Sequence, residues 1–438
     1  MPLTQTKPLN APTVCKLPNG LTIIAEQMPV EAVNLNLWLP VGSLVETDGI
    51  NGMAHFLEHM VFKGTQQLAM GEFERRIEEM GAVTNAATSQ DYTHYYITTA
   101  PKDFAALAPL QLEVVLNASI PATAFHREKS VVIEEINRSD DSPQRRIYQQ
   151  AIALACAELP YRRPVLGPRS VIEGLAPEQM QEFHQTWYRP DLMTVAVVGN
   201  LPEAEMIQII TKAIDQSGHG TPAQKSLESP SLPPQFSLPQ LGTYTPEVPF
   251  QTIVRQEYTD AGIQQARLVM VWRVPGFQDL SSTYALDVLS VILGQGKLSR
   301  LFQELREEKQ LVTQIGVSNM TFQWQGVFYI SAQLPAENIP VVEAAIVHHL
   351  EKLQTELITT AEIDRVRTQV ANRFIFGNER PSDRAGLYGY YHALLGDLQP
   401  AFDYPQLIQS LTVEDLQQAA QKYLNPQAYG VLAVKPAP

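Results

Sequence analysis

Two kinds of periodicity alternate along this chain. In "KLPNGLTIIAEQ" two strand-like runs flank Asn19-Gly20, the signature of a tight hairpin. "NLNLWLPVGS" reads as a further strand that ends at Pro40. "GEFERRIEEMGA" has helical spacing and stops at Gly81, which can take the left-handed conformation that closes a helix. "TNAATSQDYTHYYITTA" alternates small or hydroxyl side chains with aromatics, which predicts a strand with one accessible face. Helices interleaved with antiparallel strands predict an α+β architecture.

The pattern is written twice. Residues 175–200, "LAPEQMQEFHQTWYRPDLMTVAVVGN", align without gaps onto 411–436, "LTVEDLQQAAQKYLNPQAYGVLAVKP". Each reads as a helix, a turn at Pro190 or Pro426, and an apolar strand. "NLNLWLPVGS" has its counterpart in "RLVMVWRVPGF" at 267–277. The expectation is therefore two homologous halves, 1–215 and 251–438, each a mostly antiparallel sheet packed with helices. Residues 216–250, rich in Pro, Ser and Gly, would be an extended tether between them. A length of 438 residues also favours more than one core.

Composition narrows the function. A net charge of −14 without any basic run argues against nucleic acid as a partner. Apolar stretches such as "MTVAVVGN" are too short to span a bilayer. The N-terminus shows no secretory or transit pattern, so a cytoplasmic location is expected. Cys15 and Cys156 cannot build a thiolate metal site, so any metal must use histidine and carboxylate ligands.

That chemistry is concentrated in "HFLEHMVFKGT", residues 55–65. On a helix His55 and His59 fall on one face, a turn apart, and Glu58 borders it. Both imidazoles can point at one ion, with Glu58 near enough to act on water. A catalytic zinc usually has three protein ligands. The third is sought in "HREKSVVIEEINR", where Glu128 and Glu135 are two turns apart on one face and Glu134 points away. The ordering favours Glu135 as the ligand and Glu128 as a supporting carboxylate, although a lone pair at this spacing is commonly just a solvated face.

His55, Glu58, His59 and Glu135 together resemble the inverted H-x-x-E-H zinc motif of the pitrilysin/insulinase metallopeptidases, with the distant Glu 76 positions after the second His. "LPNGLTIIAE", "GMAHFLEHMVFKGT", "NAATSQDYTHYY" and "GQGKLSRLFQELREEKQL" resemble that family's successive blocks in their order. The resemblance implies a clam-like zinc endopeptidase with one Zn2+ per chain held by His55, His59 and Glu135. Glu58 would be the general base and Glu128 an outer carboxylate. It also implies that Asn85 and Ala86 lie on an edge strand that binds extended peptide.

In the second half, active relatives carry an Arg and a Tyr seven positions apart. Here Arg306 is present and Thr313 stands in the Tyr position. The resemblance then implies the zinc-bearing chain of a heterodimer, whose paralogous partner supplies Arg and Tyr. A self-sufficient homodimer using Tyr388, Tyr390 or Tyr391, and a non-catalytic core-protein-like subunit, are the alternatives.

Overall fold

The computed structural model describes residues 12–221 and 244–437, so most of the expected tether lies outside the described residues. The described chain folds into two compact units. One gathers 12–136, 163–221 and 375–402, and the other 137–162, 244–374 and 403–437.

The first unit holds a six-stranded sheet built from β1 (Thr13–Lys16), β2 (Thr22–Gln27), β3 (Val33–Leu39), β4 (Val83–Thr88), β5 (Thr93–Thr99) and β6 (Thr194–Gly199). Their order is β1-β2-β6-β3-β5-β4, with only β2 and β6 parallel. The second unit holds β7 (Val254–Asp260), β8 (Ala266–Val274), β9 (Gln314–Thr321), β10 (Gly326–Leu334) and β11 (Gly430–Pro436). Its order, β7-β11-β8-β10-β9, repeats β2-β6-β3-β5-β4 strand for strand, including the single parallel pair. The internal repeat is thus a repeat of sheet topology, and each aligned block ends in the strand, β6 or β11, that carries the parallel pairing.

The hairpin at Asn19-Gly20 forms as expected, with Gly20 at φ 94°. The run from 84 to 100 is instead two strands, β4 and β5. The backbone reverses at 89–92, where the Ser89 N–H donates to the Tyr92 carbonyl over 2.8 Å. Ser, Gln and Asp between two β-prone runs carry that turn. The alternation continues on both sides of it, which is why one strand and a hairpin look alike in sequence.

Sequence halves and compact units divide the chain differently. β3 is buried at every position. Leu35, Leu37 and Leu39 face one large core, and the opposite side is covered by helix Pro381–Leu395 from late in the chain. There Ile24, Ala196 and Val198 pack with Ala385, Tyr388 and Leu398. A Cβ on Gly389 would come within 2.1 Å of the Trp38 ring, so glycine is required where this helix lies on the indole. Helix Pro143–Ala155, from early in the chain, packs likewise on β8 and β11 of the second unit. A strand buried on both faces needs cover on both, and each unit draws its second cover from the other sequence half. At the described end of the tether, the Glu247 carboxylate accepts from the N–H groups of Glu158 and Leu159 (2.8 and 2.9 Å) and pairs with Arg273.

The core of the first unit sets one acid limit. His184, on helix Pro177–Trp187, is 6% exposed, with Nε2 donating to the Val115 carbonyl at 2.9 Å. Burial, with His219 adding to it, pushes its pKa down to about 4. The folded state therefore resists a proton that the unfolded chain takes up below its ordinary value of 6.5. Stability from this group is complete above pH 6.5 and is lost as pH falls towards 4, by roughly 2–3 kcal/mol. In thermal melts between pH 7 and 4.5, His184→Gln should show a shallower fall than the wild type. Parallel curves would contradict this.

Candidate active site

Helix Met53–Val61 carries the motif. Met, Ala, Leu and Glu are strong helix formers, and Met53, Ala54, Phe56, Leu57, Met60 and Val61 are all buried. Phe56 meets Phe125 of helix Ala122–Asp140 with ring centroids 4.7 Å apart. That aromatic contact locks the two helices together and sets His55 and His59 opposite Glu128 and Glu135.

The ligand geometry is compact. His55 Nε2 lies 3.6 Å and His59 Nε2 3.5 Å from Glu135 Oε2. Ligand atoms around a tetrahedral zinc with bonds near 2.0–2.1 Å are about 3.3 Å apart. His55, His59 and Glu135 are the one group of three such side chains, among the described residues, placed to hold a metal. His59 Nδ1 lies 3.0 Å from Glu128 Oε1, which leaves Nε2 as the outward donor, the arrangement usual behind a metal-binding histidine. The three residues fit zinc in donor type and in their distances to Glu135, and Glu128 sets the tautomer of His59.

Electrostatics agree. Burial, helped by His59, pushes the His55 pKa down to about 4, so the imidazole is neutral at pH 7 and its lone pair is available. Burial also raises the Glu58 carboxyl, opposed by a hydrogen bond from the Thr88 hydroxyl. Glu128 would rise through burial, but Lys63, 2.8 Å away, and His59 outweigh that and hold it below the usual carboxylate range. Lys63 thereby balances the charge of Glu128.

Asn85 and Ala86 lie on β4, which among the described residues is an edge strand paired with β5 alone. The Asn85 side chain accepts from the Ala86 N–H at 2.9 Å. Thr88, at the end of the same strand, holds Glu58, so this edge leads directly to the motif helix. Arg306 and Thr313 belong to the second unit. The Arg306 guanidinium sits 4.7 Å from the Phe302 ring centroid, and the Thr313 hydroxyl donates to Gln265 at 2.8 Å. Tyr388 is fully buried with its hydroxyl 2.6 Å from Glu26, and Tyr390 packs edge-on against Trp38 and Tyr92.

Sequence reasoning passed over Thr88, Lys63 and Glu46. Lys63 follows His59 by four positions, so a helical-face count could have found it. Thr88 stands inside the quoted "NAATS" block, but nothing in the string ties it to a residue thirty positions away. Glu46 is 1% exposed, and burial pushes its carboxyl up to about 7 against the pull of three hydrogen-bond donors and Arg163.

Comparison with known proteins covers both halves of the chain. Residues 21–169 match the family described as "Insulinase (Peptidase family M16)", and residues 174–370 match "Peptidase M16 inactive domain". The zinc protease PqqE of Helicobacter pylori is 31% identical over 96% of this chain and 92% of its own length. The crystal structure of a protease from Helicobacter pylori superposes with a TM-score of 0.87 at 29% identity, covering 98% of this chain and 100% of that one. A peptidase M16 inactive domain from Pseudomonas fluorescens shares the fold, with a TM-score of 0.82 at 20% identity over 98% of this chain and 99% of that one.

Proposed function

Since this chain belongs to the insulinase family of M16 peptidases, we propose that it is a zinc-dependent endopeptidase whose metal is held by His55, His59 and Glu135. The observation that carries the reading is that His55 and His59 each bring Nε2 within 3.6 Å of one Glu135 oxygen, with Glu58 on the same short helix. Zinc bound there supplies the Lewis acidity that activates water and polarises a peptide carbonyl. Glu58 accepts the water's proton and returns it to the leaving amine. Thr88 orients Glu58, and Glu128 with Lys63 fixes the tautomer of His59. An extended peptide or unfolded segment adds to the free edge of β4 at Asn85 and Ala86, where main-chain hydrogen bonds give affinity with little sequence demand. The Asn85 side chain yields the Ala86 N–H when the peptide arrives.

The second unit lacks a tyrosine seven residues after Arg306. Thr313, short-stemmed and engaged with Gln265, supports the zinc-bearing half of a two-chain enzyme whose paralogous partner supplies an Arg/Tyr pair within a closed chamber. Tyr388 is already committed to Glu26, which weighs against its acting as a substitute.

Chain purified without chelator should carry close to one zinc. Its hydrolysis of a quenched mixed-sequence peptide should be low alone, rise on adding the partner chain, vanish on zinc removal and return with Zn2+. A folded chain that takes up no zinc overturns the metal reading. Full activity from the chain alone overturns only the two-chain reading.

A further inference from the structure

The motif helix begins without a cap of its own. Its N-cap is Gly52, at φ 95°, and glycine has no side chain to satisfy the first N–H groups. A carboxylate from outside the helix does so. Glu46 Oε2 accepts from the Gly52 N–H and from Asn51 Nδ2, and Oε1 accepts from the Ala54 N–H, each at 2.8 Å. Asn51 Nδ2 also donates to the Pro164 carbonyl at 2.9 Å, and Arg163 pairs with Asp48 at 2.6 Å. A Cβ on Gly52 would lie 2.5 Å from the Leu166 carbonyl oxygen and 2.9 Å from Gly167 Cα, so segment 163–167 presses on the helix start.

We infer that Glu46 is a positioning residue for the zinc ligands, setting the rotation of helix Met53–Val61 about its axis through the Gly52 and Ala54 N–H groups. This rests on the metal reading above. The helix is nine residues long, and His55 is the residue next after Ala54. A two-oxygen clamp on two backbone donors resists both sliding and rotation of so short a helix. A rotation of about 10–20° is enough to spoil a ligand constellation. His55 is also the ligand most dependent on its backbone, since its Nδ1 is buried with no hydrogen-bond partner among the described residues.

The test is the zinc dissociation constant, measured by competition with a chromophoric chelator, beside a thermal melt. Glu46→Gln keeps the shape but turns one oxygen into a donor facing a donor. It should weaken zinc binding about 10–100-fold, the range seen when outer partners of metal ligands are lost, while the far-ultraviolet circular dichroism spectrum is retained. Gly389→Ala, on the opposite side of the sheet, serves as the control: it should lower the melting temperature and leave zinc affinity unchanged. Should Glu46→Gln not fold, Asn51→Ala removes one of the three bonds and should weaken zinc about 3–10-fold by the same reasoning. Wild-type affinity in Glu46→Gln, or in Asn51→Ala where that variant replaces it, assigns Glu46 to folding alone and overturns the inference. A wild type that holds no zinc overturns the metal reading and this inference with it.

Discussion

Glu58→Gln should retain zinc and lose peptide hydrolysis by roughly 10²–10⁴-fold, the range attributable to a positioned general acid–base group. The ligand set is untouched by the change, because Glu58 points to Thr88 while His55, His59 and Glu135 converge on one another. Glutamine can keep the Thr88 hydrogen bond but cannot take a proton at neutral pH. The loss should therefore fall on kcat, with KM little changed. Zinc content and steady-state rates on the zinc-loaded protein check both halves of this statement. A variant that hydrolyses at the wild-type rate would remove Glu58 from the mechanism. One that loses its zinc would make Glu58 a ligand.

The second large effect concerns the other face of the same sheet. Glu26 on β2 is 0% exposed and accepts from Arg384 Nη1 at 2.7 Å and from the Tyr388 hydroxyl at 2.6 Å. Burial raises its pKa by more than those two partners lower it, so its charge is held at a cost and only while they are in place. Arg384→Met strands the carboxylate. Removing one partner of a buried pair typically costs about 3–5 kcal/mol, or roughly 10 °C in melting temperature for a unit of this size. Neutralising the carboxylate as well, in Glu26→Gln/Arg384→Met, should recover most of the loss, since Tyr388 can still donate to the amide oxygen. Calorimetry on the three proteins decides the matter. An Arg384→Met protein as stable as wild type would mean that helix Pro381–Leu395 is held on the sheet by its apolar contacts alone.

Several elements were legible in the string because their information is local or repeated. The hairpin at Asn19-Gly20 is encoded by one dipeptide, and the twin sheets by two gapless blocks ending in β6 and β11. The motif helix followed from spacing, since residues four apart share a face whatever surrounds them. Glu135 could be preferred over Glu134 by the same counting, and the structure brings it within 3.6 Å of both histidines. The run at 84–100 reads as one strand in sequence because period-two alternation continues through a hairpin, which the chain forms by reversing between Ser89 and Tyr92.

The amino-acid sequence by itself determined the α+β class, the doubled sheet, the family and the candidate donor set His55, His59 and Glu135. Each depends on residues whose relation is fixed by the period of a helix or strand, or by a repeat. Tertiary structure alone decided which helix covers which sheet. It also decided that Glu46 clamps the start of the motif helix, that Thr88 holds Glu58, and that Arg384 and Tyr388 guard Glu26 across more than 350 residues of chain. Hydrophobic periodicity states that a face must be buried, but it carries no address for the surface that buries it. A lone polar residue finds its partner only after the backbone has closed, when leaving it unpaired would be the costlier arrangement.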